Sequence, residues 1–214
     1  MQLTNLLAGN GADIAYSAIV KQTPWRTIYN VGNRAIDVSA SEMDAWTAEE
    51  RVALTRTIFA GAATGFQYCF DQFSLSEHMG SKGAISEDLR GIWSLFTSEE
   101  FIQLMRSATG DAEIAFSDVM LSRYRPGHFL TTHDDKLASL NRRHAFVLSL
   151  TPRWQVDWGG LLVFRDFQNN ISVGYTPAFN VLSIFRVPQD HAVTLVTPFA
   201  PFPRISVTGW LHGA

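Results

Sequence analysis

The segment Arg204-Ile205-Ser206-Val207-Thr208-Gly209-Trp210-Leu211 can be read one residue at a time. Side chains along a strand point alternately to opposite faces, so Arg204, Ser206, Thr208 and Trp210 share one side while Ile205, Val207, Gly209 and Leu211 share the other. The second row is apolar and needs a cover. The first carries a cation and two hydroxyls, which are costly in an ordinary core unless they surround a ligand. This strand is the first sign of a site.

It is the last of a series. From Ala112 onward, short apolar runs recur at 113–124, 128–133, 144–151, 160–165, 171–175, 179–186, 191–196 and 204–211, a spacing that predicts a β-sandwich or barrel. Pro126-Gly127, Trp158-Gly159-Gly160, Gln168-Asn169-Asn170, Pro188-Gln189-Asp190 and the Pro198–Pro203 cluster supply the turns. Before residue 110 the pattern is mixed, and helices are predicted as cover for the apolar row. One opens with a capping box, Thr47 to Glu50, and carries Val52, Leu54, Ile58 and Phe59 at near-helical spacing. A second starts at Thr97-Ser98, with Phe101, Ile102, Leu104 and Met105 as its stripe and Gly110 as its end, and a short third over 86–95 is capped by Ser86. The polar stretch between Gln72 and Ile85 reads as a mobile loop.

A chain of 214 residues buries roughly 70% of its unfolded surface, which supports one domain over 1–214 with helical support about 1–110 and a β core about 111–214. Hydrophobic residues at 46% and charged ones at 17% exclude a disordered chain. A net charge of -3 without charge runs gives no footprint for nucleic acid or an anionic membrane. The single cysteine, Cys69, excludes an intramolecular disulfide and a cysteine-built zinc or iron-sulfur site, and reads as an inert thiol in the apolar run 65–70. A reducing, cytoplasmic setting is expected, because the N-terminus has no signal-peptide pattern and no stretch approaches the roughly 18 apolar residues of a membrane span.

Six histidines occur, at 78, 128, 133, 144, 191 and 212. Company selects among them. His133 and Asp135 follow a strand-like run two residues apart, so strand alternation points them into one space. His191 opens the run after the Pro188-Gln189-Asp190 turn, 58 residues further on, where a barrel could return it to the same place. Two imidazoles and a carboxylate on one side of a metal form the facial set used for non-haem Fe(II), with positions left open for chemistry. No fourth protein ligand for a closed zinc site is evident. Arg204 and Ser206 then offer a guanidinium fork and a hydroxyl suited to a carboxylate.

Four stretches in this order, Tyr124-Arg125-Pro126-Gly127-His128-Phe129-Leu130-Thr131-Thr132-His133-Asp134-Asp135, Trp158-Gly159-Gly160-Leu161-Leu162-Val163-Phe164, Pro188-Gln189-Asp190-His191-Ala192-Val193 and Arg204 to His212, resemble the motifs of Fe(II)/2-oxoglutarate-dependent oxygenases of the prolyl 4-hydroxylase-like group. The resemblance covers about residues 110–214. It implies an α+β, mainly β fold, a double-stranded β-helix or jelly roll with supporting helices from the N-terminal half. It also implies His133, Asp135 and His191 as iron ligands, Arg204 with Ser206 at the distal carboxylate of 2-oxoglutarate, and Tyr124 either at the co-substrate or as a packing aromatic. Where some relatives carry a second co-substrate tyrosine, this chain offers Ser149.

The implied cofactors are Fe(II), 2-oxoglutarate and O2, with ascorbate allowed but not required. The implied reaction releases succinate and CO2 and hydroxylates a substrate C–H bond. In related halogenases a small residue replaces the ligand carboxylate, so Asp135 argues for hydroxylation. The substrate is either a prolyl side chain of a protein or peptide, or a free amino acid or other small metabolite. A non-catalytic jelly-roll binding module and a cupin with another metal are the remaining alternatives. Residues 72–85 and 136–143 could form a lid, and Trp154 and Trp158 either line a substrate groove or pack at an edge.

Overall fold

The computed structural model describes residues 1–79, 85–137 and 139–214. In chain order they form β1 (Gln2–Thr4), α1 (Gly11–Gln22), β2 (Arg26–Val31), β3 (Arg34–Ser39), α2 (Ala40–Asp44), α3 (Ala48–Ala62), β4 (Tyr68–Ser74), α4 (Leu75–His78), α5 (Glu87–Phe96) and α6 (Glu99–Thr109). Strands then dominate: β5 (Ile114–Ser117), β6 (Met120–Tyr124), β7 (Phe129–His133), β8 (Arg142–Ser149), β9 (Leu162–Arg165), β10 (Ile171–Tyr175), β11 (Val181–Arg186), β12 (His191–Val193) and β13 (Arg204–Gly213). Among the described residues, no helix is long and apolar enough to cross a membrane.

The helix starts follow their caps. Thr47, Ser86 and Ser98 each accept a hydrogen bond from the backbone N–H three residues on, a contact worth about 1 kcal/mol, and Thr47 completes the box with Glu50. Gly110, at φ +71, closes α6 in the left-handed conformation that glycine takes without strain. The stripe of α3 is narrower than its sequence implies. Leu54, Ile58 and Ala62 face the small cluster of Tyr29, Val38 and Phe129, with Ile58 buried, whereas Val52 and Phe59 are exposed.

Thirteen strands join one antiparallel sheet among the described residues, its main path running β1-β11-β8-β13-β6-β4-β7-β12-β9-β10. The front half is therefore more than helical support. β4 lies between β6 and β7, and β2 and β3 extend the sheet from its flank. The expected loop over 72–85 is likewise corrected: Gln72–Ser74 complete β4, Leu75–His78 form α4 with Leu75 fully buried, and residues 80–84 lie outside the described ones. The polar look of this stretch came from side chains satisfied locally. Ser74 caps α4, Ser76 accepts from Trp93 Nε1 and from Val119 N, and His78 Nδ1 meets the Ser74 carbonyl.

One face of β13 is the floor of the main core. Ile205, Val207 and Leu211 pack with Phe146 and Leu148 of β8 against Phe96 of α5 and Phe101, Ile102 and Met105 of α6. Phe146 stacks on Phe96 and meets Phe101 edge-on, with centroids 5.7 and 5.4 Å away. On another part of the sheet, Asp71 of β4 is fully buried and accepts from Thr27, Arg123 and Arg125, tying β2, β4 and β6 together. Burial alone would raise the Asp71 carboxyl, but His128, Arg125 and Arg123 outweigh it and hold it below the usual carboxylate range.

Candidate metal centre and its anion pocket

Pairing of β7 with β12 sets His191 opposite His133 in register, with their ring centroids 4.1 Å apart. Asp135 reaches the same point by a route that strand alternation does not supply. β7 ends at His133, and Asp135 turns back through a backbone φ of +61. Its Oδ1 lies 3.3 Å from His133 Nε2 and its Oδ2 lies 3.4 Å from His191 Nε2. Among the described residues, these three form the one cluster of potential ligand side chains close enough to share an ion, with ligand atoms within 4.8 Å of one another.

The outer nitrogens decide what the inner ones offer. His133 Nδ1 lies 3.0 Å from the Thr131 carbonyl and His191 Nδ1 lies 2.7 Å from the Gln189 carbonyl. A carbonyl only accepts, so each Nδ1 is the N–H donor and each Nε2 turns a free lone pair to the centre. Burial, followed by the nearby His133, pushes His191 down and keeps it neutral. Burial would raise Asp135, but the two histidines facing it prevail and hold it below the usual range. Two imidazole nitrogens and one carboxylate converging on one point are the donor set a divalent ion takes. The other histidines lie apart: His128 is buried near Asp71, His144 faces Asp111, His212 faces Asp118 and His78 stacks on Phe73.

A cavity of about 100 Å³ joins the trio to Arg204. Tyr124 and Arg204 are direct partners across β6 and β13, and Arg204 Cζ lies 5.2 Å from the Tyr124 ring centre. Tyr124 stacks on Phe70 at 4.8 Å, and burial raises its phenol. Arg204 is only 3% exposed, and its Nε and Nη1 have no hydrogen-bond partner. Among the described residues no carboxylate pairs with it. An unpaired buried guanidinium is costly, so its place here demands an anion that the chain itself does not provide. Ser122, Ser206 and Ser149 lie side by side across β6, β13 and β8, and the Ser206 and Ser149 hydroxyls are also buried without partners. Gly160, at φ +61, leaves the space that the Arg204 stem and Trp154 fill.

Sequence reasoning found Tyr124, His133, Asp135, His191, Arg204 and Ser206, and the structure brings five of these to the cavity wall, with Ser206 buried in the serine row behind Arg204. It missed Phe70, which no motif marks because it comes from the front half, and Arg142, whose role depends on a tertiary contact. Trp154 and Trp158 line a different groove, one that shares no residue with this cavity, and Trp154 Nε1 donates to the Gly159 carbonyl. Lys136, Leu137 and Ser139–Arg142 line a separate cavity with Val187 and Pro188, while Arg142 and Arg143 already belong to β8. Trp154 and Trp158 thus take the edge-packing alternative, and residues 80–84 and 138 of the two stretches considered for a lid lie outside the described residues.

Residues 119–212 match the family model described as the 2OG-Fe(II) oxygenase superfamily. A curated relative, "Prolyl 3-hydroxylase OGFOD1" of Xenopus laevis, is 32% identical over 122 residues, which are 54% of this chain and 23% of that protein. The match thus spans less than a quarter of the relative's length. Among solved structures, a Pseudomonas putida prolyl-4-hydroxylase superposes with a TM-score of 0.53 at 16% identity, covering 95% of this chain and 98% of the other. A Trichoplax adhaerens prolyl hydroxylase, solved with a hypoxia inducible factor oxygen degradation domain peptide fragment, gives 0.52 at 15% identity over 94% and 89%. At such identities the likeness is one of fold, and it confirms the jelly roll. Residues 119–212 are thus similar to the 2OG-Fe(II) oxygenase superfamily, and they lie in a jelly-roll sheet completed by strands from the front half.

Proposed function

We propose that this chain is an Fe(II)- and 2-oxoglutarate-dependent dioxygenase that hydroxylates a C–H bond of a prolyl side chain in a protein or peptide. One observation carries the reading: a three-residue ligand set and an uncompensated buried guanidinium line the same small cavity. His133, Asp135 and His191 would hold the iron, and Arg204, with Ser206 beside it, would hold the distal carboxylate of 2-oxoglutarate, with Tyr124 forming the wall between. Bound Fe(II) supplies the activation of O2 that couples oxidative decarboxylation of 2-oxoglutarate, to succinate and CO2, with substrate hydroxylation.

The chain's own residues do the rest. Backbone carbonyls at Thr131 and Gln189 fix the two rings so that their Nε2 lone pairs converge. Asp135 stays ionised, and the three donors occupy one side, leaving the other for co-substrates. The Arg204 fork gives a diacid one orientation only, and Phe70, Leu130, Leu162, Phe185 and Val193 keep the space between dry. The prolyl substrate class rests on the relatives, which are named as prolyl hydroxylases. The lone thiol Cys69 favours a cytoplasmic setting, and the sharing of one sheet by both halves favours residues 1–214 as one working domain.

Anaerobic titration with Fe(II) and 2-oxoglutarate tests the reading. A metal-to-ligand charge-transfer band should grow in the wild-type protein and be absent in His133→Ala. Proline-containing peptides should then gain one oxygen atom with matched succinate release. A folded wild-type protein that gives no band would refute the chemistry, and a band with succinate release but no peptide product would refute the substrate class.

A further inference from the structure

Asp135 is held in a backbone conformation that residues other than glycine seldom adopt, and such conformations persist only where the surroundings enforce them. No strand pairing does so here, because Asp135 lies beyond the end of β7, on the connection to β8. Arg142, the first residue of β8, does reach it: its Nη1 donates to the Asp135 carbonyl oxygen at 3.1 Å. The same guanidinium lies 3.6 Å from the ring centre of Trp210, a cation–π contact. Trp210 lines the cavity with His133, Asp135 and His191, and its backbone N–H donates to Asp118 Oδ1 at 2.8 Å.

The anchor is firmer than what it holds. Arg142 pairs with His212 in the β8–β13 ladder, and Trp210 pairs with Ala145 in the same ladder. The side chain thus runs from a rigid sheet to a loop position seven places earlier in the chain. Among the described residues Arg142 has no carboxylate partner, and its Nε is buried without a hydrogen bond. A solvated surface arginine would not be arranged this way. Its charge is directed at a main-chain oxygen and an aromatic face.

We propose that Arg142 is a positioning residue of the metal centre, fastening the left-handed Asp135 and the Trp210 wall so that the Asp135 carboxylate faces His133 and His191. The proposal rests on the metal reading above. Without the Arg142 contact, Asp135 is free to relax toward an ordinary backbone conformation, which swings its carboxylate off the shared point. A lysine could reach the carbonyl but would not cover the indole face with a planar cation.

Mn(II) binding to the full chain, followed by electron paramagnetic resonance without turnover, tests this role alongside thermal melting of the metal-free proteins. Arg142→Ala should weaken Mn(II) binding roughly 10–100-fold, the usual loss when a contact supporting a metal ligand is removed, while the melting temperature stays near that of the wild type. Arg142→Lys should fall between the two. Binding by Arg142→Ala within threefold of wild type would overturn the proposal, as would a loss that only parallels a fall in melting temperature. If the alanine variant does not fold, wild-type affinity in Arg142→Lys overturns it instead. His133→Ala separates the two levels: if it binds Mn(II) as well as wild type, the metal reading fails and the proposal with it. If His133→Ala loses binding and Arg142→Ala does not, only the role of Arg142 falls.

Discussion

Replacing His128 with Gln is expected to flatten the acid side of this protein's stability curve. His128 is 7% exposed, and burial drives its pKa from 6.5 to about 4. A depressed histidine favours the neutral ring in the native state. Above pH 6.5 both native and unfolded chains carry it neutral, and nothing is lost. As pH falls from 6.5 toward 4, only the unfolded chain takes up the proton, and stability drops until the native ring also protonates. A difference of about 2.5 pH units corresponds to a total of about 3 kcal/mol, of which about 2 kcal/mol is gone by pH 5. Asp71, held below the usual carboxylate range, stays ionised at that pH and does not mask the effect. Urea unfolding of wild type and His128→Gln at pH 7.5 and pH 5.0 measures it, since the other histidines contribute equally to both proteins. Wild type should lose about 2 kcal/mol more than the variant over this interval. Equal losses in the two proteins would refute the argument that this ring is buried neutral.

Other expectations follow from single sites. Arg204→Lys should weaken 2-oxoglutarate binding to the Mn(II)-loaded protein by about 1.5–3 kcal/mol in calorimetry, because a point charge replaces a fork that has no other partner; unchanged affinity would remove Arg204 from the co-substrate site. Gly159→Ala places a methyl group on the Leu195 carbonyl oxygen at a φ of +66, and should cost roughly 3 kcal/mol or more in denaturant unfolding. Burial, with Asp71 adding to it, pushes the Cys69 thiol up to about 12. Native protein at pH 8 should therefore react with a thiol reagent far more slowly than urea-unfolded protein, and equal rates would contradict the burial.

The parts of the fold legible in the sequence are those fixed by local chemistry. Thr47, Ser86, Ser98 and Gly110 mark helix ends because their side chains or φ freedom act within one turn. The two faces of β13 were legible because eight residues of alternation, 204–211, leave little ambiguity. β4 was legible only at its start, in the apolar run 65–70, since its buried Asp71 reads as a surface residue until Arg123 and Arg125, more than fifty positions away, are seen to meet it. In the site, His133, His191 and Arg204 stood out as polar groups at strand ends, where a core would not tolerate them unpaired. Asp135 was picked for an incorrect reason, as the period of two ends at His133 and a left-handed turn does the aiming. Arg142 carried no signal of this role, because one of two adjacent arginines after Asn141 gives no sign of which carbonyl it will reach.

The position of β4 between β6 and β7 has a further consequence for how this chain can be cut and assembled. Excision at residue 110 would leave two bare strand borders where a neighbour belongs, open to pairing with other molecules. Folding must also close a long loop before the wall bearing the histidines is continuous, because β4 meets β6 and β7 across separations of 46 to 62 positions, which argues for slow assembly. Inheritance of the oxygenase motif by another protein would thus require a borrowed strand along with it.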